Sequence, residues 1–387
     1  METKKIKICH VTSAHKSNDV RIFQKECSSL AKIENYEVFL VAQGKSYTKN
    51  GVRVIGIGEF PPGRAYRMWT GRRKIYDEVV RLDADIYHFH DPELLPCAKR
   101  IKKLGKQVIF DSHEDVPEQI KEKDYIPMVL RGIISFAYTV YQNQILKKLD
   151  AVISVTPHIC KKLNKVNPCT YMVTNYPIVH EGDIQSSKIE RGKIVFAGGV
   201  TEQWSHQYII EAINDLSGIS YNIYGKADSE GYIEKLKSLA GWKNTNYRGF
   251  QPFEVVQKEI QTANMAMAIC QYGKNTAGKL GTLGNTKLFE AMQLGVPVIA
   301  TDFILWKEII DKYQCGIYVE PKNVEAIKRA IQYLFTETEI ARKMGMNGRR
   351  AITECYNWKN EEQTLFKLYK VIETKIKYGI QNNEQND

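Results

Sequence analysis

Short β-branched runs alternate with longer helical patterns along this 387-residue chain, and that alternation restricts the fold to parallel sheets covered by helices. Ile6 to Val11 precedes a helical stretch from Arg21 to Lys32, Val52 to Ile57 precedes Ala65 to Leu82, and Ile86 to His90 precedes Glu93 to Lys103. Between Asn175 and Arg191 the pattern lapses into Tyr176-Pro177 and a mostly polar run from Glu181 to Lys188. A second series then opens with Lys193 to Ala197 and closes with Val298 to Thr301 and Gly316 to Val319. The expected architecture is α/β: two doubly wound domains over residues 1–177 and 193–357, joined by a linker over 178–192. Trp358 to Lys377 puts Leu365, Leu368, Tyr369 and Ile372 on one helical face, so a helix over 358–378 is expected to pack back on the first domain, with 381–387 a flexible tail.

Apolar residues make up 43% and charged residues 26%, a globular balance that argues against disorder elsewhere. The formal charge of +11 asks for an anionic partner, without choosing among nucleic acid, lipid surface and phosphorylated small molecule. Eight cysteines without a C-x-x-C pair read as reduced core residues. The start METKKIKICHV passes straight into a strand-like run, and the most apolar window, Ile126 to Tyr141, is interrupted by Arg131. A cytoplasmic protein without a membrane span is expected.

Ligands of doubly wound sheets sit at the carboxyl ends of the strands, which directs attention to the strand-to-helix loops. In the stretch from Gly284 to Asp302 a loop opens a helix and a strand follows. Unpaired N–H groups at Asn285, Thr286 and Lys287 suit a diphosphate, Lys287 adds charge, and Glu290 one turn on can accept from a ribose diol; the alternative is a solvated helix with an incidental carboxylate. Gly198-Gly199 ends the first strand of the second series, either for close approach of phosphates or as a simple tight turn. In the first half, His88-Phe89-His90-Asp91 and Ser112-His113-Glu114-Asp115 put polar clusters at neighbouring strand tips. Their spacing is compatible with a metal centre, but alternation sends His88 and His90 to one buried face, so no metal is expected. Asp83-Ala84-Asp85 leads into a strand and reads as a solvated turn.

These motifs resemble glycosyltransferase family 4, the large retaining group with the GT-B fold of two Rossmann-like domains facing across a cleft, and the resemblance covers nearly the whole chain. Asn285 to Asp302 is similar to the donor signature of that family, in which the glutamate at Glu290 holds the nucleotide ribose and Gly295 to Pro297 leads into the next strand. The earlier glutamate of that signature is replaced by Thr282, and backbone N–H groups of Gly278 to Gly284 are expected to hold the sugar instead, with Lys279 or Lys226 meeting phosphate. The resemblance implies a donor site of Gly198, Gly199, Lys226, Gly249, Phe250, Lys279, Thr282, Asn285, Thr286, Lys287, Leu288 and Glu290, with Gly249 and Phe250 beside the base. It makes His113 the catalytic residue. Asp19-Val20-Arg21-Ile22-Phe23 with Lys25-Glu26 looks like a subgroup that builds bacterial surface polysaccharides. Arg21 is then a cation of the cleft, or else a solvated first-turn residue, and His90, Asp91 and Glu114 join it on the acceptor side.

The resulting expectation is sugar transfer from a nucleoside-diphosphate sugar, UDP-linked, to a lipid-linked oligosaccharide, with no resident cofactor and the nucleotide sugar as co-substrate. Arg64, Arg67, Arg72, Arg73 and Lys74 accompany Tyr66, Met68 and Trp69 on one predicted helix, which suits the anionic inner face of a plasma membrane or is a solvated basic face. A nucleotide-sugar epimerase or phosphorylase of the same fold, or a sugar-binding protein, are the competing readings. Nucleic-acid binding lacks any recognition-helix or RNP pattern.

Overall fold

The structure, a computed structural model, describes residues 5–61, 63–123, 125–179, 188–274 and 276–384, with the side chains of 64 and 378–384 excepted. The chain divides into two compact units: the first runs to Asn175 and resumes at Lys359, and the second spans Tyr176–Trp358. Most of the expected linker, residues 180–187, and the end of the expected tail, 385–387, lie outside the described residues.

Unit 1 is built on an eight-stranded sheet of β1 (Ile6–Lys16), β2 (Tyr36–Gln43), β3 (Tyr47–Lys49), β4 (Val52–Gly56), β5 (Ile86–Phe89), β6 (Gln107–Ser112), β7 (Ala151–Ser154) and β8 (Thr170–Met172), in the order β3-β4-β2-β1-β5-β6-β7-β8. All pairings are parallel except β3 with β4. The central strands are buried on both faces, as the parallel part of a sheet between helices demands. β3 and β8 are three residues long and one lies at each edge, where a hydrophobic pattern is too short to announce a strand. β1 runs past Val11 to Lys16 with a register shift after Val11, so part of the expected first loop is strand.

The helix after β1 starts on Asp19, whose carboxylate accepts from the N–H groups of Arg21 and Ile22, both at 2.9 Å. It is wound as a wide π-type turn over Val20–Cys27, a form often found beside functional sites. The C-terminal helix Trp358–Glu384 buries Leu365, Leu368, Tyr369 and Ile372 completely, and from Lys359 onward it belongs to unit 1. Its Glu361 accepts from the Thr174 N–H at 2.5 Å and its Glu373 from the Tyr36 hydroxyl at 3.2 Å. It stays helical to Glu384, four residues into the segment expected to be loose.

Unit 2 carries a six-stranded parallel sheet of β9 (Glu190–Ala197), β10 (Ser220–Tyr224), β11 (Thr245–Gly249), β12 (Ala263–Ala268), β13 (Val298–Thr301) and β14 (Gly316–Val319), in the order β11-β10-β9-β12-β13-β14. Its core includes Phe196, Tyr221, Met265, Phe289, Phe303 and Trp306, and β9 starts at Glu190, ahead of the expected Lys193. The cysteines are free thiols; Cys160 and Cys169 are half-buried and Cys355 is exposed, so the core reading holds for five of the eight. Among the described residues no helix is long and apolar enough to cross a membrane.

Candidate active site

In unit 2, three neighbouring parallel strands end in glycine at their carboxyl tips: Gly198 after β9, Gly225 after β10 and Gly249 closing β11. The Gly198 N–H donates to Tyr224 O and the Gly225 N–H to Gly249 O, both at 2.8 Å, so the three turns stack into one backbone shelf. Gly225 has φ +146°, and a β-carbon there would lie 1.8 Å from Gly198 O. Only glycine fits.

Over this shelf sits Lys287, the first residue of the short helix Lys287–Gln293. Its Nζ lies 2.3 Å from where a β-carbon on Gly198 would be, and 4.3 Å from the centre of the Trp204 ring. Burial holds the Lys287 pKa below its ordinary value, with the nearby Glu290 opposing. A phosphate arriving at the shelf would restore the charged state that burial disfavours. The helix begins one residue later than expected, and the Lys287 N–H is already taken by Asn285 Oδ1 at 3.1 Å. The ammonium of Lys287, rather than its N–H, is therefore what this residue offers to an anion.

Glu290 is half-buried one turn further on, whereas Leu288 is fully buried in the core, so its side chain is packing and only its backbone remains for a ligand. The Gly278–Gly284 loop is held from below: Trp306 Nε1 donates to Thr282 O at 2.8 Å, and Gly281, at φ +84°, packs against Phe303. The Thr282 hydroxyl accepts from the Gly284 N–H at 3.1 Å, so threonine shapes the loop at the place where the family signature carries its earlier glutamate. Lys226 and Lys279 are exposed, Lys279 over the Tyr272 ring, and Phe250 is 80% exposed beside Gly249.

In unit 1, a cavity of about 660 Å³ opens at the carboxyl tips of β1, β5 and β6. His15, His113, Glu114, Arg67, Tyr138 and Tyr141 are among its walls. His113 is one-fifth exposed, and its Nε2 lies 3.1 Å from Asp111 Oδ2. Asp111 is fully buried and also accepts from Arg21 Nε at 3.0 Å and Nη2 at 2.7 Å, while Arg21 Nη1 donates to Val173 O at 3.0 Å. Although burial alone would raise the Asp111 pKa, Arg21 and then His113 hold it well below the usual carboxylate range.

One acceptor-side expectation changes, that for Arg21. Arg21 is neither a cleft cation nor a solvated residue: it is 5% exposed and spends its guanidinium on Asp111, Glu26 and Val173 O. Asp91 lines the cavity; it is buried and pins the β1 tip, accepting from Thr12 Oγ1 at 2.7 Å, Ser13 N at 2.6 Å and Ala14 N at 3.1 Å. His90 lines the cavity too; it is buried, with Nδ1 3.3 Å from His113 Nε2 and Nε2 2.9 Å from His10 Nδ1. Glu114 does lie at the cavity, exposed and bonded to Gln119. The sequence reading missed His10, Glu26 and Tyr369, which surround His88 and His90. One signal was available: β1 and β5 pair with His10 opposite His88, so an adjacent-strand alignment would have placed the three histidines on one face.

Residues 19–173 match the family described as glycosyltransferase family 4, and residues 181–351 match that described as glycosyl transferases group 1. An uncharacterized glycosyltransferase of Methanocaldococcus jannaschii is 25% identical over 182 residues, 46% of this chain and 44% of that protein, so the match spans less than half of the relative. Sucrose-phosphate synthase from Thermosynechococcus elongatus superposes with a TM-score of 0.75 at 15% identity over 96% of this chain and 100% of that one. Anabaena HepE in complex with UDP and glucose gives 0.70 at 10% identity over 95% and 100%. At such identities the structural likeness speaks to the fold alone, which is GT-B.

Proposed function

Because this chain belongs to glycosyltransferase family 4, its second half a group 1 glycosyltransferase domain, we propose that it moves a sugar, with retention, from a UDP-sugar to a hydroxyl of a lipid-linked oligosaccharide in surface-polysaccharide assembly. The observation that carries the donor half is the glycine shelf of Gly198, Gly225 and Gly249 under the Lys287 ammonium, with Glu290 one turn along. A diphosphate on bare backbone next to a partly desolvated cation is held by charge that water screens little. Glu290 accepts from the ribose hydroxyls, and Phe250 is free to cover the base. HepE, of the same fold, has been seen with UDP and glucose, which favours uridine among the nucleotides to try first.

In the transfer, the bond from the anomeric carbon to the diphosphate oxygen breaks and a bond to the acceptor oxygen forms on the same face. The acceptor proton passes to the leaving diphosphate. His113 orients the sugar, its own ring oriented by Asp111 and Arg21.

A lipid-linked acceptor asks for a membrane-facing surface, and unit 1 has a suitable one. Met128, Val129, Ile133 and Phe136 are 81%, 80%, 66% and 72% exposed on the helix Met128–Leu146, an apolar surface that water disfavours. Tyr138 and Tyr141 of the same helix share the cavity wall with Arg67, Met68 and Arg72, so apolar and basic groups border one opening.

The test is a thermal-shift series with UDP, GDP, ADP and UDP-sugars, followed by product analysis with the responding donor. A UDP-selective rise that Glu290→Ala abolishes supports the donor site. No nucleotide response from folded protein sinks it, and a free epimer or sugar phosphate as sole product would replace transfer with epimerisation or phosphorolysis.

A further inference from the structure

Beneath the cavity, in the core of unit 1, three histidines and a glutamate converge: His10 on β1, His88 on β5, His90 just past it, and Glu26 on the helix Val20–Cys27. All four are at most 2% exposed. Glu26 Oε2 lies 3.8 Å from His10 Nδ1, 3.9 Å from His88 Nδ1 and 4.0 Å from His90 Nε2, and His10 Nδ1 is 2.9 Å from His90 Nε2. The three distances to the carboxylate are too long for hydrogen bonds. Glu26 Oε2, the oxygen turned toward the histidines, has no hydrogen-bond partner and is a buried polar atom left unsatisfied at a cost of about 1–3 kcal/mol, whereas Glu26 Oε1 is ion-paired with Arg21 Nε at 3.1 Å. Ligand atoms held about 2.0–2.1 Å from a shared tetrahedral ion stand roughly 3.4 Å apart; the four ligand atoms lie within 4.8 Å of one another, so they would draw together around an ion.

From this geometry we propose that His10, His88, His90 and Glu26 bind one Zn²⁺ ion as a structural site that ties β1, β5 and the helix Val20–Cys27 together. The chemistry of the donor set fits. Nitrogen and oxygen ligands without thiolate suit zinc and exclude calcium, and all four side chains are buried in the core of one unit.

A supporting layer surrounds the ligands, as metal-bound histidines require. His10 Nε2 meets the Tyr369 hydroxyl at 3.1 Å, His90 Nδ1 faces Asp111 Oδ2 at 3.6 Å, and Glu26 Oε1 faces Arg21 Nε at 3.1 Å. Tyr369 also reaches His88 Nδ1 at 3.0 Å, and the ion would compete with that bond. Because Asp111 and His90 both border His113, the site would also stiffen the floor under the residue assigned to the sugar.

The experiment is elemental analysis of the full chain purified without chelator, and of chain unfolded in chelator and refolded with Zn²⁺ or Co²⁺. The expected result is one zinc per chain, a visible ligand-field band for the Co²⁺ form, and loss of both in Glu26→Gln and in His88→Asn. Should Glu26→Gln fail to fold, His88→Asn and the wild-type Co²⁺ spectrum still decide. Folded protein without stoichiometric zinc in either preparation overturns the site, as does zinc retained in full by both variants. Nucleotide binding in unit 2 plays no part in these readouts.

Discussion

Arg21→Met tests whether the buried ion cluster under His113 holds unit 1 together. Methionine keeps most of the volume and removes the charge, leaving Asp111 and Glu26, both fully buried, without their cation. Removing one partner of a buried pair costs about 3–5 kcal/mol, because the abandoned charge stays desolvated. For a unit of about 200 residues, each kcal/mol lowers Tm by roughly 2–4 °C, so the transition should fall by roughly 6–20 °C at neutral pH. The pH dependence gives a second handle. In the wild type Asp111 has a depressed pKa, so it contributes stability above the unfolded value near 4 and loses it as pH falls through the folded value. In the variant burial dominates and the Asp111 pKa rises, so the gap between the two proteins should be widest at neutral pH and close in acid. Calorimetry of the full chain between about pH 2 and 7 measures both. A shift of less than about 2 °C at pH 7 would refute the argument, since it would rank Arg21–Asp111 with exposed pairs.

Gly225→Ala should destabilise unit 2 by about 1–3 kcal/mol, because the new methyl meets Gly198 O, and should abolish any nucleotide-induced thermal shift; an unchanged melt would mean the shelf can spread. His15, hydrogen-bonded to Asp19 at 3.2 Å and close to Asp91, has its pKa raised despite partial burial. Its contribution is complete below about pH 6.5 and lost as pH climbs through the raised value, so His15→Asn should destabilise at about pH 6 and converge with wild type in alkali, and a constant gap across that range contradicts the assignment. The double change Ile133→Ser, Phe136→Ser should weaken co-sedimentation with anionic vesicles while leaving turnover on a water-soluble acceptor intact; equal binding by both proteins would remove this helix from the membrane contact.

The hydrophobic periods alone determined a doubly wound parallel architecture, because a two-residue period alternating with a 3.6-residue one admits few other arrangements. The central strands of both sheets, the amphipathic face of Leu365, Leu368, Tyr369 and Ile372, and the glycines at the tips of β9 and β11 were all legible in this way, each being a local constraint on a few neighbouring residues. Short edges such as β3 and β8 were not, since three residues carry no period. Leu288 illustrates the same limit inside a motif: Lys287 and Glu290 stay partly exposed while helical rotation turns Leu288 and Phe289 into the core. What only the tertiary structure decided is which polar residues meet. Arg21 and Asp111 are 90 positions apart, and His10 and Tyr369 are 359 apart, yet both pairs are in hydrogen-bonding contact. No local pattern carries that information, because strand order and the return of the C-terminal helix bring those residues together, and burial then turns an apparent surface cation and a strand histidine into members of one ionic core.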